Sequence, residues 1–300
     1  MLQGTITALA TPMLESGNLD LYSFTRLIEF QINSGINGLV IAGSTGESAS
    51  LDNDEKMLLI QQAIKQIKGR VKVIIGVNFC STNTAVKFVQ QLNEVPGIDY
   101  LLVTVPAYVK PTQNGLYLHY AAIAKISKIP LILYNVPGRT GCDLADETAL
   151  KLAQDFSNIV GLKDATGNIA RCGYLVKHKP QNFAILSGDD ATALAFMLSG
   201  GNGVVSVVSN IIPQQLSALT TYALHNKAAN DAIDINKRIV CLYSLMGAET
   251  NPIPIKWALY KAGLFNTPTL RLPLTTLSEP WQEKVQIVLT TLMNAENYAN

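Results

Sequence analysis

Charge is scarce in this chain. Only 15% of its 300 residues are Asp, Glu, Lys or Arg, and 23 basic against 22 acidic residues leave a formal net charge of +1. No global field therefore recruits nucleic acid or an anionic surface. Histidine is scarcer still: His119, His178 and His225 lie far apart, without the HxxxH spacing of a metal site. All three are expected in helices, as surface or boundary residues. Cys80, Cys142, Cys172 and Cys241 are scattered and form no CxxC pair, which argues against a zinc knuckle and a disulfide framework. The start, Met1-Leu2-Gln3-Gly4, has no basic leader, and no apolar stretch approaches the roughly 18–20 residues of a membrane span. The expectation is a soluble, cytoplasmic protein that uses no metal, no nucleic acid and no membrane.

Apolar residues are abundant, at 48% of the chain. That supports a large packed core and argues against disorder. They alternate between short runs and longer amphipathic stretches. Strands are expected at Ile6–Ala10, Gly38–Ala42, Val71–Val77, Tyr100–Val105, Leu131–Tyr134, Ile159–Lys163, Phe183–Leu186 and Gly203–Val208. Between them lie helical patterns. One carries Leu21, Phe24, Ile28 and Ile32 on a single face and stops at Gly35. Another opens at Asp52 with Glu55 three residues on, a capping-box pattern, and aligns Met57, Ile60, Ile64 and Ile67 before Gly69. Further helices are expected over Thr84–Leu92, Leu116–Ser127 and Asp146–Gln154.

Near-continuous apolar strands are those of a parallel sheet covered on both faces. Eight strand–helix units imply an α/β fold, a closed (β/α)8 TIM barrel over residues 1–227. A doubly wound open sheet is disfavoured, because no Gly-rich dinucleotide loop follows the first strand. Residues 228–300 lack strand signals. Ile233–Met246 and Ile255–Ala262 read as helices of a C-terminal helical extension packed on the barrel, since no linker precedes them.

The active site of such a barrel lies where strands end and βα loops begin. Lys163 closes the run Ile159-Val160-Gly161-Leu162. Alone, a lysine there snorkels into water. Tyr134 ends the neighbouring strand, Gly43-Ser44-Thr45-Gly46-Glu47-Ser48 follows the second, and Tyr108 and Arg139 follow the fourth and fifth. Together these suit carbonyl chemistry. A lysine amine attacks a ketone, loses water and leaves an iminium electron sink. Tyr134, Ser44 and Tyr108 offer hydroxyls for a proton relay. The Ser44–Thr45 turn offers N–H groups to a carboxylate, and Arg139 a bidentate fork to a second one. Gly188, in Ser187-Gly188-Asp189-Asp190, permits close approach of a ligand to the backbone, although that loop is read first as the cap of the next helix. Gly200-Gly201-Asn202-Gly203 precedes a strand and reads as a tight turn, not as a phosphate loop.

Gly43-Ser44-Thr45-Gly46-Glu47, the segment Tyr134–Gly141, Val160-Gly161-Leu162-Lys163-Asp164 and Asn251-Pro252-Ile253-Pro254-Ile255-Lys256 resemble the signatures of the Schiff-base aldolases related to dihydrodipicolinate synthase and N-acetylneuraminate lyase. The resemblance runs over nearly the whole chain, in order and in spacing. It implies that Lys163 forms the imine with pyruvate, that Tyr134, Ser44 and Tyr108 relay protons, and that Thr45, Arg139, Gly188 and Val205 bind substrate, with no cofactor. Arg139 followed by Thr140-Gly141 resembles the synthase branch, where the arginine meets the carboxylate of L-aspartate-4-semialdehyde. The implied product is 4-hydroxy-tetrahydrodipicolinate, on the route to lysine and diaminopimelate. The tyrosine matching Tyr108 usually reaches the neighbouring subunit's site in this family. That implies a homo-oligomer, with a dimer as the least catalytic unit and a tetramer built from dimers as the usual form.

Two positions depart from the synthase pattern. Ser44 stands where threonine is usual, keeping the hydroxyl and losing the methyl that restricts its rotamer. Serine is common there in the sialic-acid lyases, so an aldolase for sialic acid or a 2-keto-3-deoxy sugar acid stays open, as does a non-catalytic sensor. Members inhibited by lysine generally carry histidine or glutamate at the position of Lys56, asparagine at Cys80, glutamate at Thr84 and tyrosine at Ala107. The loss of the carboxylate and the aromatic implies weak or absent feedback by lysine.

Overall fold

The eight apolar runs form eight parallel strands: β1 (Gly4–Ala8), β2 (Gly38–Ile41), β3 (Lys72–Val77), β4 (Tyr100–Thr104), β5 (Leu131–Asn135), β6 (Ile159–Asp164), β7 (Ala184–Ser187) and β8 (Gly203–Ser206). In the computed structural model, which describes residues 1–225 and 228–297, they close in sequence order into a barrel. Closure is made by β8 on β1, with Gly4 opposite Gly203 and Thr7 opposite Ser206.

Strand alternation sorts the side chains into two layers. Ile6 and Ala8, Ile132 and Tyr134, and Ala184 and Leu186 point into the barrel. Leu39 and Ile41, Leu131 and Leu133, and Leu101 and Val103 point outward, beneath the helices. Both faces of the sheet are therefore buried, which is why the strands read as apolar runs and not as polar–apolar alternation.

The outer ring comprises α1 (Leu21–Asn33), α2 (Asn53–Ile67), α3 (Thr82–Leu92), α4 (Gln113–Ile126), the short α5 (Pro137–Thr140), α6 (Asp146–Asp155), α7 (Ile169–His178), α8 (Ala193–Leu198) and α9 (Pro213–Leu224). The expected capping box is present on α2. Glu55 N–H donates to Asp52 Oδ1 at 2.8 Å, and Asp52 N–H donates to Glu55 Oε2 at 3.1 Å. It satisfies two of the N-terminal amides that no helical carbonyl can reach.

The C-terminal segment contributes α10 (Ala229–Met246), α11 (Ile253–Lys261) and α12 (Glu279–Asn297). Ile235, Ile239, Leu242, Trp257 and Leu289 from these helices join the same hydrophobic core as the outer barrel layer. The expected boundary at residue 227 lies outside the described residues. No reading of the sequence singled out α12, whose stripe is interrupted by polar residues.

Three expectations are corrected. The eighth strand stops at Ser206 and not at Val208, because the chain turns into a 3-10 helix over Val208–Asn210. His119 is buried at 4% exposure. It shares the inward stripe of α4 with Leu116, Tyr120 and Ile123, one helical turn apart, and its Nδ1 lies 2.9 Å from Thr82 Oγ1 on α3. The Ser187–Asp190 loop does more than cap a helix. Asp189 accepts from Thr192 N–H at the start of α8, whereas Asp190 accepts from Val207 and Val208 N–H after β8.

Candidate active site

The row of inward side chains at the strand ends builds the site. Tyr134 on β5 pairs in register with Lys163 on β6, so both face the barrel axis at the same level. Lys163 Nζ stands 4.0 Å from the centroid of the Tyr134 ring, and both residues are buried. Asp164 projects from the opposite face, where it accepts from Thr166 Oγ1 at 2.7 Å and from Asn135 Nδ2 at 3.3 Å. Burial pushes its carboxyl above the usual range. Among the described residues no carboxylate pairs with Lys163. The amine instead faces an aromatic ring and an apolar wall.

That wall encloses a cavity of about 170 Å³, lined by Lys163 and Tyr134 together with Ser44, Thr45, Arg139 and Gly188. Gly188 is required sterically. A Cβ there would lie 2.8 Å from Lys163 Cε and 2.7 Å from Ala165 Cβ, so any other residue would displace the lysine stem. The β2–α2 loop presents Ser44 and Thr45 to the same space. Its turn is closed by Gly46 N–H to Gly43 carbonyl and Glu47 N–H to Ser44 carbonyl, both at 3.1 Å. Among the described residues, the N–H groups of Ser44 and Thr45 make no hydrogen bond. They form a ready seat for a small carboxylate. Thr45 Oγ1 accepts from Asn251 Nδ2 at 3.0 Å, which frees its own proton for a ligand. Arg139 on α5 donates to Asn251 carbonyl at 2.6 Å and reaches the cavity from the exposed side.

Two expected site residues do not join this group within one chain. Tyr108 is 90% exposed, in a left-handed conformation with φ +70°. Its ring leaves the barrel mouth. Val205 lies in the inner core between Ile6 and Leu186, while Val207, two residues on, lines the cavity. No hydrogen bond joins Ser44, Tyr134 and Lys163 directly among the described residues.

Two polar residues of the cavity were missed by sequence reasoning. Asn78 follows β3 directly, and the strand-end rule applied to the other strands would have found it. Its Nδ2 donates to Ala42 carbonyl at 3.2 Å and to Ser48 Oγ at 3.0 Å, and its Oδ1 accepts from Thr104 Oγ1. Gly76 makes room for this, since a Cβ there would lie 2.4 Å from the Ala42 oxygen. Asn251 comes from the C-terminal segment, and nothing local in the sequence places it at the barrel mouth. A second cavity of about 440 Å³ opens beside the first and shares Ser44, Asn78, Val136, Arg139 and Asn251 with it. Among the described residues no three His, Cys, Asp or Glu side chains cluster to hold a metal ion, and no helix is long and apolar enough to cross a membrane.

Comparison with known proteins adds lineage to this geometry. The model of the dihydrodipicolinate synthetase family matches residues 1–292. The 4-hydroxy-tetrahydrodipicolinate synthase of Laribacter hongkongensis is 46% identical over 96% of this chain and 98% of its own length. The enzyme of the same name from Nitrosomonas eutropha is 48% identical over 95% and 97%. Among solved structures, the chloride-inhibited dihydrodipicolinate synthase of Acinetobacter baumannii complexed with pyruvate superposes with a TM-score of 0.93. It is 42% identical and covers 97% of this chain and 98% of its own.

Proposed function

This chain belongs to the dihydrodipicolinate synthetase family, and on that premise we propose how its residues carry the reaction. It is a 4-hydroxy-tetrahydrodipicolinate synthase, a lyase of the class I aldolase type, as are its relatives by name across nearly their whole length. Its substrates are pyruvate and L-aspartate-4-semialdehyde. The observation that carries the site assignment is the buried Lys163 amine with no acid partner, on one cavity with Tyr134, Ser44, Thr45 and Arg139.

Lys163 attacks the keto carbon of pyruvate, and water leaves as the iminium forms. The pyruvate carboxylate sits on the N–H groups of Ser44 and Thr45 and on the Thr45 hydroxyl. Loss of a methyl proton gives the enamine, which adds to the aldehyde carbon of the semialdehyde. Arg139 holds the semialdehyde carboxylate with its fork. The semialdehyde amine then displaces Lys163 from the imine carbon, which closes the ring and frees the enzyme. Tyr134 and Ser44 shuttle the protons of these steps. Tyr108, turned outward on its loop, completes the relay of a neighbouring subunit in a homo-oligomer, for which its 90% exposure is the supporting fact. Gly188 and Val207 bound the keto-acid pocket, with Val205 beneath them. We place the enzyme in the cytoplasm, in the biosynthesis of lysine and diaminopimelate.

Borohydride reduction in the presence of pyruvate tests the central step. The expected result is a covalent adduct on the peptide that contains Lys163. Active enzyme that carries no label there would end this mechanism.

A further inference from the structure

We infer that the buried ion pair between Glu47 and Lys256 is a positioning device that holds Thr45 and Arg139 in register over Lys163. The inference rests on the reading of the Lys163 cavity as the keto-acid site. Both side chains are sealed from water, at 1% and 0% exposure, with Lys256 Nζ 2.5 Å from Glu47 Oε1. The second carboxylate oxygen accepts from Arg271 N–H at 3.1 Å. The Arg271 side chain continues outward to Ser50 carbonyl at 2.8 Å, to Gly17 carbonyl at 2.9 Å and to Glu55 in the α2 capping box.

The pair closes a circuit around the site. Glu47 N–H donates to Ser44 carbonyl, so the carboxylate is tied to the loop that seats the substrate. Lys256 N–H donates to Pro252 carbonyl at 3.0 Å, in the first turn of α11. The residue before Pro252 is Asn251, which donates to Thr45 Oγ1 and accepts from Arg139. The loop from β2 and the tail from α11 thus meet twice, once at the ion pair and once at Asn251.

Two facts favour positioning over stability. A buried ion pair gains little over a well-packed neutral pair, because desolvation offsets the attraction. The loop it anchors also carries two left-handed non-glycine residues, Ala42 at φ +52° and Glu47 at φ +56°. Such residues persist only where the surroundings over-determine them.

The test is the full-length enzyme with Glu47→Gln and Lys256→Met together. Gln keeps an acceptor for Arg271 N–H, and no unpaired charge stays buried. Unfolding temperature and borohydride trapping at saturating pyruvate should match the native enzyme. Because misplacement by about 1 Å costs on the order of 100-fold, kcat/KM for the semialdehyde should fall by roughly that factor. Adding Asn251→Ala to the pair should then cost less than it does in the native enzyme, since both act through one circuit. Native kcat/KM in the folded double variant would overturn the inference. So would activity lost only in step with the fold, or a strictly additive Asn251→Ala effect. Failure of the native enzyme to trap pyruvate would strike the Lys163 reading instead, and the trapping arm separates the two.

Discussion

Lys163 and Lys256 are both buried, and they do opposite things. Lys256, in α11, has Glu47 at 2.5 Å and is sealed from water. Lys163, at the end of β6, has a tyrosine ring at 4.0 Å, a cavity of about 170 Å³ and no carboxylate among the described residues. A paired amine welds two segments together. An amine with no acid partner, beside an open cavity, is left free to attack a ligand carbonyl. Burial alone therefore marks neither function nor stability. The nature of the neighbour does.

The sharpest way to break this contrast is to give both lysines a methionine. Lys163→Met should lower kcat by roughly 10⁴-fold or more, the scale seen on removing a covalent nucleophile, and should abolish the borohydride adduct. Its unfolding midpoint in urea should be unchanged or higher, since no partner is orphaned. Lys256→Met alone should do the reverse to stability. It leaves Glu47 charged and buried, which costs on the order of 3–5 kcal/mol. If the two variants lose stability alike, the distinction between them is wrong.

The same two lysines show how far the sequence could be read. Lys163 was legible because a short apolar run bounded by turn residues, one of eight such runs, put it at the mouth of a barrel, beside Tyr134 on the preceding strand. Both facts are local, and the neighbour relation follows from strand order. Lys256 was visible only as part of a motif without a role. Its partner lies 209 residues away, in a loop whose conformation depends on that contact. Asn251 escaped for the same reason, although the packing of the C-terminal helices on the barrel was expected. Asn78 and His119 are different cases. Their signals, a strand end and an i, i+3, i+4 stripe, were local and were passed over. The outward turn of Tyr108 had no signal, because left-handed backbone at a tyrosine is set by the surrounding loop and not by its side chain.

His119 offers a milder test of the same distinction. It is a buried titratable group whose Nδ1 meets the Thr82 hydroxyl and whose Nε2 has no partner among the described residues. Burial pulls its pKa down from 6.5 to about 4. The unfolded chain therefore takes up a proton below pH 6.5 that the native state refuses until about pH 4. Its share of stability is complete above that upper value and is lost as pH falls through the window. A shift of this size corresponds to about 3 kcal/mol. Urea denaturation of the native protein and of His119→Phe, compared across the window, should show a difference that grows as pH falls. A pH-independent difference would mean that the histidine is not held neutral.

The smallest effect is expected at a third buried lysine. Lys56 in α2 is 8% exposed, with Nζ 5.0 Å above the Phe79 ring, beside the larger cavity that contains Phe79, Cys80 and Ala107. Like Lys163 it has no ion-pair partner among the described residues, and like Lys256 it sits apart from the reacting atoms. Free L-lysine entering here would bring two ammonium groups to a place already occupied by a cation. Thr84 and Cys80 are exposed and neutral side chains, and Ala107 supplies no ring. Nothing at these four positions offers the carboxylate that an ammonium needs to offset its desolvation. Millimolar L-lysine should leave the initial rate of the purified enzyme unchanged. Marked inhibition would show that Lys56 moves aside or finds a carboxylate partner on a neighbouring subunit, and the rule that an unpaired buried lysine rejects a second cation would fail here.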